Sequence, residues 1–403
     1  MKQVQKIAPH PTTTVNVPLV VTVLSLGGLL ERFQIFLAIP LVPIISQAFN
    51  VSELSAAWVG SAYGFTYATG YLIFAPLSDR YGRKKVVVLG LVALIPLTLA
   101  VGFSPSFEIL ILLRAIQGFA GSTFVPTVLA YISEVLSPSF RPIGLACMTT
   151  GLLLSGIVAQ LYSSAIALNY SWRWVFWGLA IAYTALTFVI ATQIPESVRQ
   201  KSNISIMGIY QNMTALLKRR SLVVVYLAGF AMFFSFVAMY SGLGSYLSNN
   251  YGVDQNGLFL IRAAGVPGIL ISPISGKLAQ RWGSKKVAIG GLILAILGLF
   301  LEIITNPLPL LVMGTAIFVT GVAMTAPALL SLVSTFATDA KGSGQAIHSF
   351  VLFTGASFAP LVVESTRSIG FTGLCIGLIS ILGLGAASVK FGVSDRSFTA
   401  NRS

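Results

Sequence analysis

The chain has 403 residues, of which 55% are hydrophobic and only 9% are charged, against roughly 45–50% and about 25% in an ordinary soluble domain. This composition excludes a water-soluble globular protein. Lysine and arginine together number 25 against 11 acidic residues, a formal net charge of +14. In a membrane protein such an excess indicates cytoplasmic loops rather than a nucleic-acid surface.

Hydropathy predicts an all-α polytopic membrane protein with twelve transmembrane helices. A spanning helix needs about 20 mostly apolar residues, and twelve of them fit this chain length if the connections are short. The spans are expected near residues 18–45, 55–77, 86–104, 108–134, 142–167, 172–192, 221–248, 256–280, 287–304, 309–336, 344–368 and 369–391.

These spans divide into two six-helix bundles, 18–192 and 221–391. Between them lies a linker, 193–220, in which apolar residues recur at helical spacing from Asn203 to Leu217. That spacing predicts an amphipathic helix on the membrane surface. The segments 1–17 and 392–403 are expected to be cytoplasmic, because this orientation puts 20 of the 25 lysines and arginines on the inside.

The two halves carry a repeated segment after the second span of each bundle. Residues 75–86 read APLSDRYGRKKV and residues 276–287 read GKLAQRWGSKKV, at a constant offset of 201 residues. Many secondary carriers are built from internal repeats of this kind. The pattern therefore favours a pseudo-symmetric carrier over a channel.

Among the charged residues inside predicted spans, Glu31 and Arg114 are the main functional candidates. Glu31 precedes Pro40 by nine residues and lies about 20 Å into the first span at 1.5 Å per residue. An acid near the membrane midplane is costly and is a functional candidate by default. The alternative is a permanent ion pair with an arginine of another helix; Arg32 points about 100° away and is not an obvious partner. In the fourth span, Arg114 shares a helix face with Gln117.

These segments resemble the major facilitator superfamily, and more closely its twelve-helix drug:proton antiporters. The family's loop signature, Gly-x-Leu-Ala-Asp-Arg-x-Gly-Arg-Lys, is similar to the stretch from Ala75 to Lys84. The fourth span is similar to the family's Arg-x-x-Gln-Gly pattern, and Glu31 stands where the drug exporters have an acid before Ala-Leu-Pro. The resemblance covers about residues 18–391 and implies two six-helix bundles that rock about a central site.

The resemblance also implies roles for individual residues. Glu31 would bind the coupling proton and the charge of the substrate, with Arg114 as the cation that responds to it. In the loop, a carboxylate can accept hydrogen bonds from a basic residue and from helix N-terminal amides, and a glycine permits the tight turn. The loop would thus act as a gating latch, formed by Asp79, Arg80, Gly82, Arg83 and Lys84.

One pattern of the proton antiporters is missing. Their fifth span commonly reads Gly-x-x-x-Gly-Pro-x-x-Gly-Gly, whereas residues 151–160 read GLLLSGIVAQ. The proline and the final pair of glycines are absent. The direction of transport therefore stays open.

Polar and aromatic residues near mid-span are expected to line the substrate cavity, since shape and a few polar groups select apolar solutes. The candidates are Phe33, Gln34, Tyr63, Tyr67, Gln117, Phe124, Phe233, Phe236, Met239 and Tyr240. For any single aromatic residue, packing or lipid contact is the alternative. Glu302 and Glu364, nearer the outer ends, are second-rank candidates for proton entry. His348 stands alone in the eleventh span, where a structural role is the simpler explanation.

The sequence thus predicts a secondary active transporter that exports amphipathic, drug-like molecules in exchange for protons by rocker-switch alternating access. The alternative is an uptake carrier or facilitator of sugars or other small organic solutes, and a membrane receptor or enzyme is a distant one. No metalloprotease, serine-hydrolase or P-loop motif is present, so an enzyme is not expected. We expect a monomer in a bacterial cytoplasmic membrane, partnered by substrate, protons and lipid, with no cofactor, metal or nucleic acid.

Overall fold

Helices are the regular elements of the computed structural model, which describes residues 16–137, 139–196, 206–304, 307–338 and 340–393. A short 3₁₀ turn, Ile39–Leu41, joins the first two helices. The first half of the described chain contains α1 (Val17–Phe36), α2 (Val42–Phe49), α3 (Glu53–Tyr81), α4 (Arg83–Gly102), α5 (Phe107–Gly121), α6 (Phe124–Val135), α7 (Arg141–Asn169) and α8 (Trp172–Gln193).

The second half begins after a linker helix, α9 (Ile206–Leu217). A second 3₁₀ turn, Arg367–Ile369, precedes the last helix. The helices of this half are α10 (Arg220–Tyr251), α11 (Gln255–Ala263), α12 (Val266–Ile269), α13 (Ser272–Trp282), α14 (Ser284–Ile304), α15 (Leu308–Phe336), α16 (Lys341–Ser365) and α17 (Gly370–Gly392).

Eleven helical stretches of the described chain are long and apolar enough to cross a membrane. The prediction of an all-helical polytopic membrane protein is therefore confirmed. The stretch that falls outside this set is α3, which has 29 residues and is about 44 Å long at 1.5 Å per residue but is richer in polar residues. It packs against α5 of its own half and α16 of the other. A twelfth crossing by α3 stays a prediction.

Three predicted spans are interrupted. The sequence suggested continuous helices over 18–45, 108–134 and 256–280, whereas the structure breaks them after α1, after α5, and twice between α11 and α13. Proline lacks a backbone N–H and clashes with the preceding turn, so it ends one helix and is accepted in the first turn of the next. Prolines stand in the first turns of the following pieces, at Pro43, Pro126, Pro267 and Pro273.

The repeated segments adopt the same turn in both halves. Gly82 separates α3 from α4 with φ +99°, and Gly283 separates α13 from α14 with φ +89°. Only glycine adopts such angles without strain. We call the end of the bundle that carries these two turns the basic face, and the other end the opposite face.

The linker helix α9 lies at the basic face. Its Met213 and Leu216 are buried, whereas Met207 and Leu217 are exposed, which is the amphipathic pattern that the sequence indicated. It packs against α10 and α16. The predicted start of this helix at residues 203–205 lies outside the described residues, as do 1–15 of the N-terminal segment and 394–403 of the tail.

Candidate functional site

A cavity of about 560 Å³ lies between the two halves and reaches the basic face. Its volume is within the range of small-molecule pockets, about 300–1,000 Å³. Apolar and aromatic side chains form most of the wall. The polar and aromatic residues of the wall include Arg32, Phe36, Tyr71, Arg83, Ser133, Thr149, Asn212, Phe233, Phe236, Ser343, Gln345, His348, Ser349 and Phe353.

The opposite face is closed by contacts between α3 of the first half and α16 of the second. The rings of Phe65 and Phe358 lie 4.8 Å apart, centroid to centroid. A Cβ atom on Gly64 would come within 2.1 Å of the Ser357 hydroxyl, so the helix backbones are in close approach there. The cavity is therefore accessible from the basic face and sealed from the opposite one.

An ionic contact between the halves closes the rim of the opposite face. Arg367, between α16 and α17, pairs with Glu53 at the start of α3. The same guanidinium lies 3.5 Å from the Glu364 carboxylate of its own half. Glu364, a second-rank candidate for proton entry, is thus part of this rim and is not on the cavity wall.

We expect Arg367→Ala to favour opening of the opposite face. Loss of an exposed ion pair costs about 0.2–1 kcal/mol, so the ratio of the two conformations should change by up to about fivefold. The measurement is the distance between spin labels on Glu108→Cys and Ser248→Cys, which are exposed sites of the two halves at this face. The exposed Cys147 is replaced by serine in this background.

The matched control is Arg173→Ala at the same face. Arg173 lies 4.6 Å from the ring of Trp172 in its own half and does not bridge the halves through that contact. We expect its distance distribution to match that of the parent. An unchanged distance distribution in Arg367→Ala would show that the ion pair between Arg367 and Glu53 does not control the opening of the opposite face.

Glu31 is fully buried, with 0% of its surface exposed. The Tyr63 hydroxyl donates to Oε1 at 3.1 Å and the Tyr67 hydroxyl donates to Oε2 at 2.9 Å. Close packing completes the pocket, because a Cβ on Gly121 would lie 2.9 Å from Oε1. Within the described residues Glu31 has no ion-pair partner, so the alternative of a permanent pair with an arginine is not what the geometry gives. Two hydroxyl donors can serve either protonation state of a carboxyl group.

A chain of hydroxyl groups connects Glu31 to the cavity wall. Tyr67 lies 3.4 Å from the Tyr71 hydroxyl, oxygen to oxygen, and Tyr71 accepts from Arg32 Nη2 at 3.3 Å. Tyr71 and Arg32 line the cavity, whereas Glu31 and Tyr67 do not. The acid is thus one layer behind the wall, reached through two tyrosines.

Arg114 is also fully buried and is held by neutral oxygens. Its guanidinium donates to the side-chain oxygens of Gln34 and Gln117, both at 2.7 Å, and to the Val59 carbonyl at 2.9 Å. It also lies 4.4 Å from the centroid of the Tyr63 ring. None of these partners is a carboxylate. Gln117 in turn donates to the Thr98 hydroxyl at 2.7 Å, so the Arg-x-x-Gln segment ties α5 to α1, α3 and α4.

The predicted cavity residues fall into two groups. Phe233 and Phe236 line the cavity. The others are buried behind its wall: Tyr63 and Tyr67 bind Glu31, Gln34 and Gln117 bind Arg114, and the rest pack in the interior. Those packed residues are Phe33, Phe124, Met239 and Tyr240.

Among the wall residues that sequence reasoning missed, four carry the chemistry discussed below: Arg32, Tyr71, His348 and Phe353. For Arg32 a signal was present, because a second charge inside a predicted span is as costly as the first. For Tyr71 the signal was its position one helical turn after Tyr67. His348 was assigned a structural role, and nothing local distinguishes Phe353 from other aromatic residues of the spans.

The loop signature forms ion pairs at the basic face. Arg83 Nε lies 2.7 Å from the Glu134 carboxylate, and its Nη1 donates to the Ser78 hydroxyl at 3.0 Å. Lys84 lies 3.6 Å from Glu196. The Arg80 guanidinium stacks on the neighbouring tyrosine ring. The Asp79 side chain, which was expected to accept from Arg83, lies outside the described residues.

Glu302, the other second-rank candidate, is buried inside the second half. It accepts from the Thr315 hydroxyl at 2.9 Å, and the Cys375 sulfur lies 3.9 Å away. It does not line the cavity between the halves. The contacts of Glu302 with Thr315 and Cys375 therefore link α14, α15 and α17.

The family model described as Major Facilitator Superfamily matches residues 24–360. The chain therefore belongs to the major facilitator superfamily and is a membrane transporter of that type. The fold and the cavity between two halves agree with this membership.

Individual relatives are similar at low identity. The uncharacterized MFS-type transporter YceJ of Bacillus subtilis is 27% identical over 347 residues, 83% of this chain and 87% of the relative. The 3-(3-hydroxy-phenyl)propionate transporter of Escherichia coli is 31% identical over 154 residues, 38% of each chain. The crystal structure of the human organic anion transporter MFSD10 (TETRAN) has a TM-score of 0.71 at 19% identity, covering 93% of this chain and 99% of that chain. That likeness shows the fold alone.

Proposed function

We propose that the chain is a proton-coupled secondary transporter of amphipathic small molecules, in which Glu31 takes up and releases the coupling proton. The observation that carries the proposal is the position of this carboxyl group. It is buried between Tyr63 and Tyr67, one layer behind a cavity that opens to one face. Ionisable residues inside a membrane protein mark proton and substrate pathways.

We propose twelve crossings, with α3 as the second, and cytoplasmic N- and C-terminal ends. This orientation makes the basic face cytoplasmic, in keeping with the excess of lysine and arginine in cytoplasmic loops. The cavity is then open to the cytoplasm and closed to the outside. We also propose a monomer in the bacterial cytoplasmic membrane, and the bacterial relatives support that location.

The transport cycle would close the two faces in turn. Substrate enters the cavity from the cytoplasm, and the loop that carries the Arg83–Glu134 pair of the first half rearranges as the halves rock. The rim contact between Arg367 and Glu53 opens when the cavity turns outward. The hydroxyl chain through Tyr67 and Tyr71 carries the proton between Glu31 and the cavity.

Export in exchange for protons is the direction that the resemblance to drug:proton antiporters suggests. The second candidate is a carrier that moves substrate and proton in the same direction. It is favoured by the composition of the cavity wall, which contains no carboxylate among the described residues. A cationic drug would find no opposite charge there.

The test is proton movement in proteoliposomes on addition of a panel of cationic, neutral and anionic compounds. A trapped pH indicator reports the movement, and liposomes without protein are the control. We expect at least one compound to move protons: opposite to its own direction for exchange, with it for co-transport. Accumulation of a compound with no proton movement and no response to a pH gradient would contradict the proposal in favour of a facilitator.

A further inference from the structure

A buried arginine lies on the cavity wall, at the end of the hydroxyl chain that starts at Glu31. Arg32 is only 7% exposed and lines the cavity. Within the described chain its guanidinium has no carboxylate at ion-pair distance. Nη2 donates to the Tyr71 hydroxyl at 3.3 Å, and Nε has no hydrogen-bond partner. A buried cation with no carboxylate partner is costly unless a ligand supplies the opposite charge.

His348 is a second polar side chain of the same wall with a spare ring nitrogen. It is buried and lines the cavity, and its Nδ1 has no hydrogen-bond partner among the described residues. The remaining charged residue of the described wall, Arg83, is paired with Glu134. Of the two charged residues of the described wall, Arg32 is therefore the one with no carboxylate at ion-pair distance.

Aromatic rings surround this charge. The Arg32 guanidinium carbon lies 4.5 Å from the centroid of the Phe353 ring. Phe233 lies 5.5 Å from Phe353 and 5.8 Å from Phe36, and Phe36 lies 5.9 Å from Phe236. Together the four rings form a continuous apolar surface beside one cation.

We propose that Arg32 binds the anionic group of the substrate, so that the substrate class is an amphipathic organic monoanion. The guanidinium presents a planar fork of donors that matches a carboxylate. The apolar body of the substrate would lie against the four phenylalanine rings. This inference rests on the proposed transport function and adds to it the charge of the substrate.

The same geometry couples the anion to the proton. Glu31, on the same helix as Arg32, connects to it through Tyr67 and Tyr71 of α3, and α16 faces Arg32 with the neutral ring of Phe353. A substrate anion at Arg32 and a negative charge on Glu31 repel each other, so the bound anion favours a proton on Glu31. Such linkage is reciprocal. Anion and proton therefore bind together and move in the same direction.

The experiment compares three probes that share one apolar body: 2-naphthoate, 2-naphthamide and 2-naphthylmethylammonium. Their affinities are measured on the full-length protein in detergent without any gradient. We expect 2-naphthoate to bind at least about tenfold more tightly than the other two. Arg32→Gln should abolish that preference while leaving the affinity for the amide unchanged, and Arg32→Lys should restore part of it.

Arg262→Gln is the matched control, because Arg262 is also buried, at 6% exposed, but donates to Ser164 and does not line the cavity. It should keep the preference for the carboxylate. Glu31→Gln should keep it as well but lose the tightening of 2-naphthoate binding at lower pH. A carboxylate that binds no more tightly than the amide, or a preference that survives Arg32→Gln, overturns the inference. Anion preference with no proton movement in liposomes would instead contradict the proposed coupling.

Discussion

Replacing Glu31 with glutamine should abolish proton-coupled transport in a protein that still folds. Glutamine has nearly the same shape, and its amide can keep hydrogen bonds to Tyr63 and Tyr67, but it cannot bind and release a proton. Proton movement driven by substrate should fall to the level of liposomes without protein. Substrate should still equilibrate across the membrane, at a rate that no longer depends on the pH gradient. Both quantities are measured in the same proteoliposomes with a trapped pH indicator and a labelled substrate.

The control for this substitution is Glu302→Gln. Glu302 is likewise a buried acid with a hydroxyl donor, Thr315, at 2.9 Å, but it is not connected to the cavity wall through the tyrosines. We expect its proton coupling to resemble that of the parent. If Glu302→Gln lost the coupling while Glu31→Gln kept it, the proton site would lie in the second half and the assignment would be wrong.

Replacing Arg114 with methionine should lower the free energy of unfolding by about 2–4 kcal/mol. Interhelical hydrogen bonds in membrane proteins contribute about 0.6 kcal/mol on average, and bonds to a charged group contribute more. The guanidinium donates four hydrogen bonds: to the side-chain oxygen and the backbone carbonyl of Gln34, to the Gln117 side chain and to the Val59 carbonyl. Methionine removes one donor from each of these buried oxygens. The measurement is unfolding in mixed micelles followed by circular dichroism.

The comparison variant is Arg173→Met, at a partly exposed arginine that stacks on Trp172. A change within about 1 kcal/mol is expected there. The prediction for Arg114 also separates two roles. If Arg114→Met were as stable as the parent but transported without proton movement, Arg114 would be the coupling cation that the family resemblance implied. Loss of stability in both Arg114→Met and Arg114→Lys indicates a structural hub.

The long-range partners of the buried polar residues were beyond the reach of sequence reasoning. Arg114 and Gln117 were expected on one helix face, and they do hydrogen-bond each other at 2.7 Å. That Gln34 and the Val59 carbonyl complete the set depends on how α1 and α3 pack against α5. Local periodicity specifies which residues share a face, but it does not specify which face of another helix lies opposite.

The consecutive residues Glu31 and Arg32 also show which part of the site could be predicted from the sequence and which part could not. The rotation of about 100° per residue argued that Arg32 is no partner for Glu31, and among the described residues the two form no ion pair. Glu31 accepts from Tyr63 and Tyr67, whereas Arg32 donates to Tyr71 and lines the cavity. Helical rotation alone does not place Arg32 on the cavity wall, because residues of the second half of the molecule complete that wall. Phe353, which stacks on Arg32, is 321 positions further along the chain.

The membrane class, the helical fold, the repeated turns at Gly82 and Gly283, and the buried acid Glu31 could all be predicted without a structure. Each of these depends on local properties: apolar length, positive φ at glycine, and the cost of charge in a membrane. Three features required the folded molecule: which face of the protein is closed, which residues line the cavity, and that Arg32 rather than Glu31 is on the cavity wall. Those features arise where helices from different halves meet, and the packing that sets them is not encoded in any one segment.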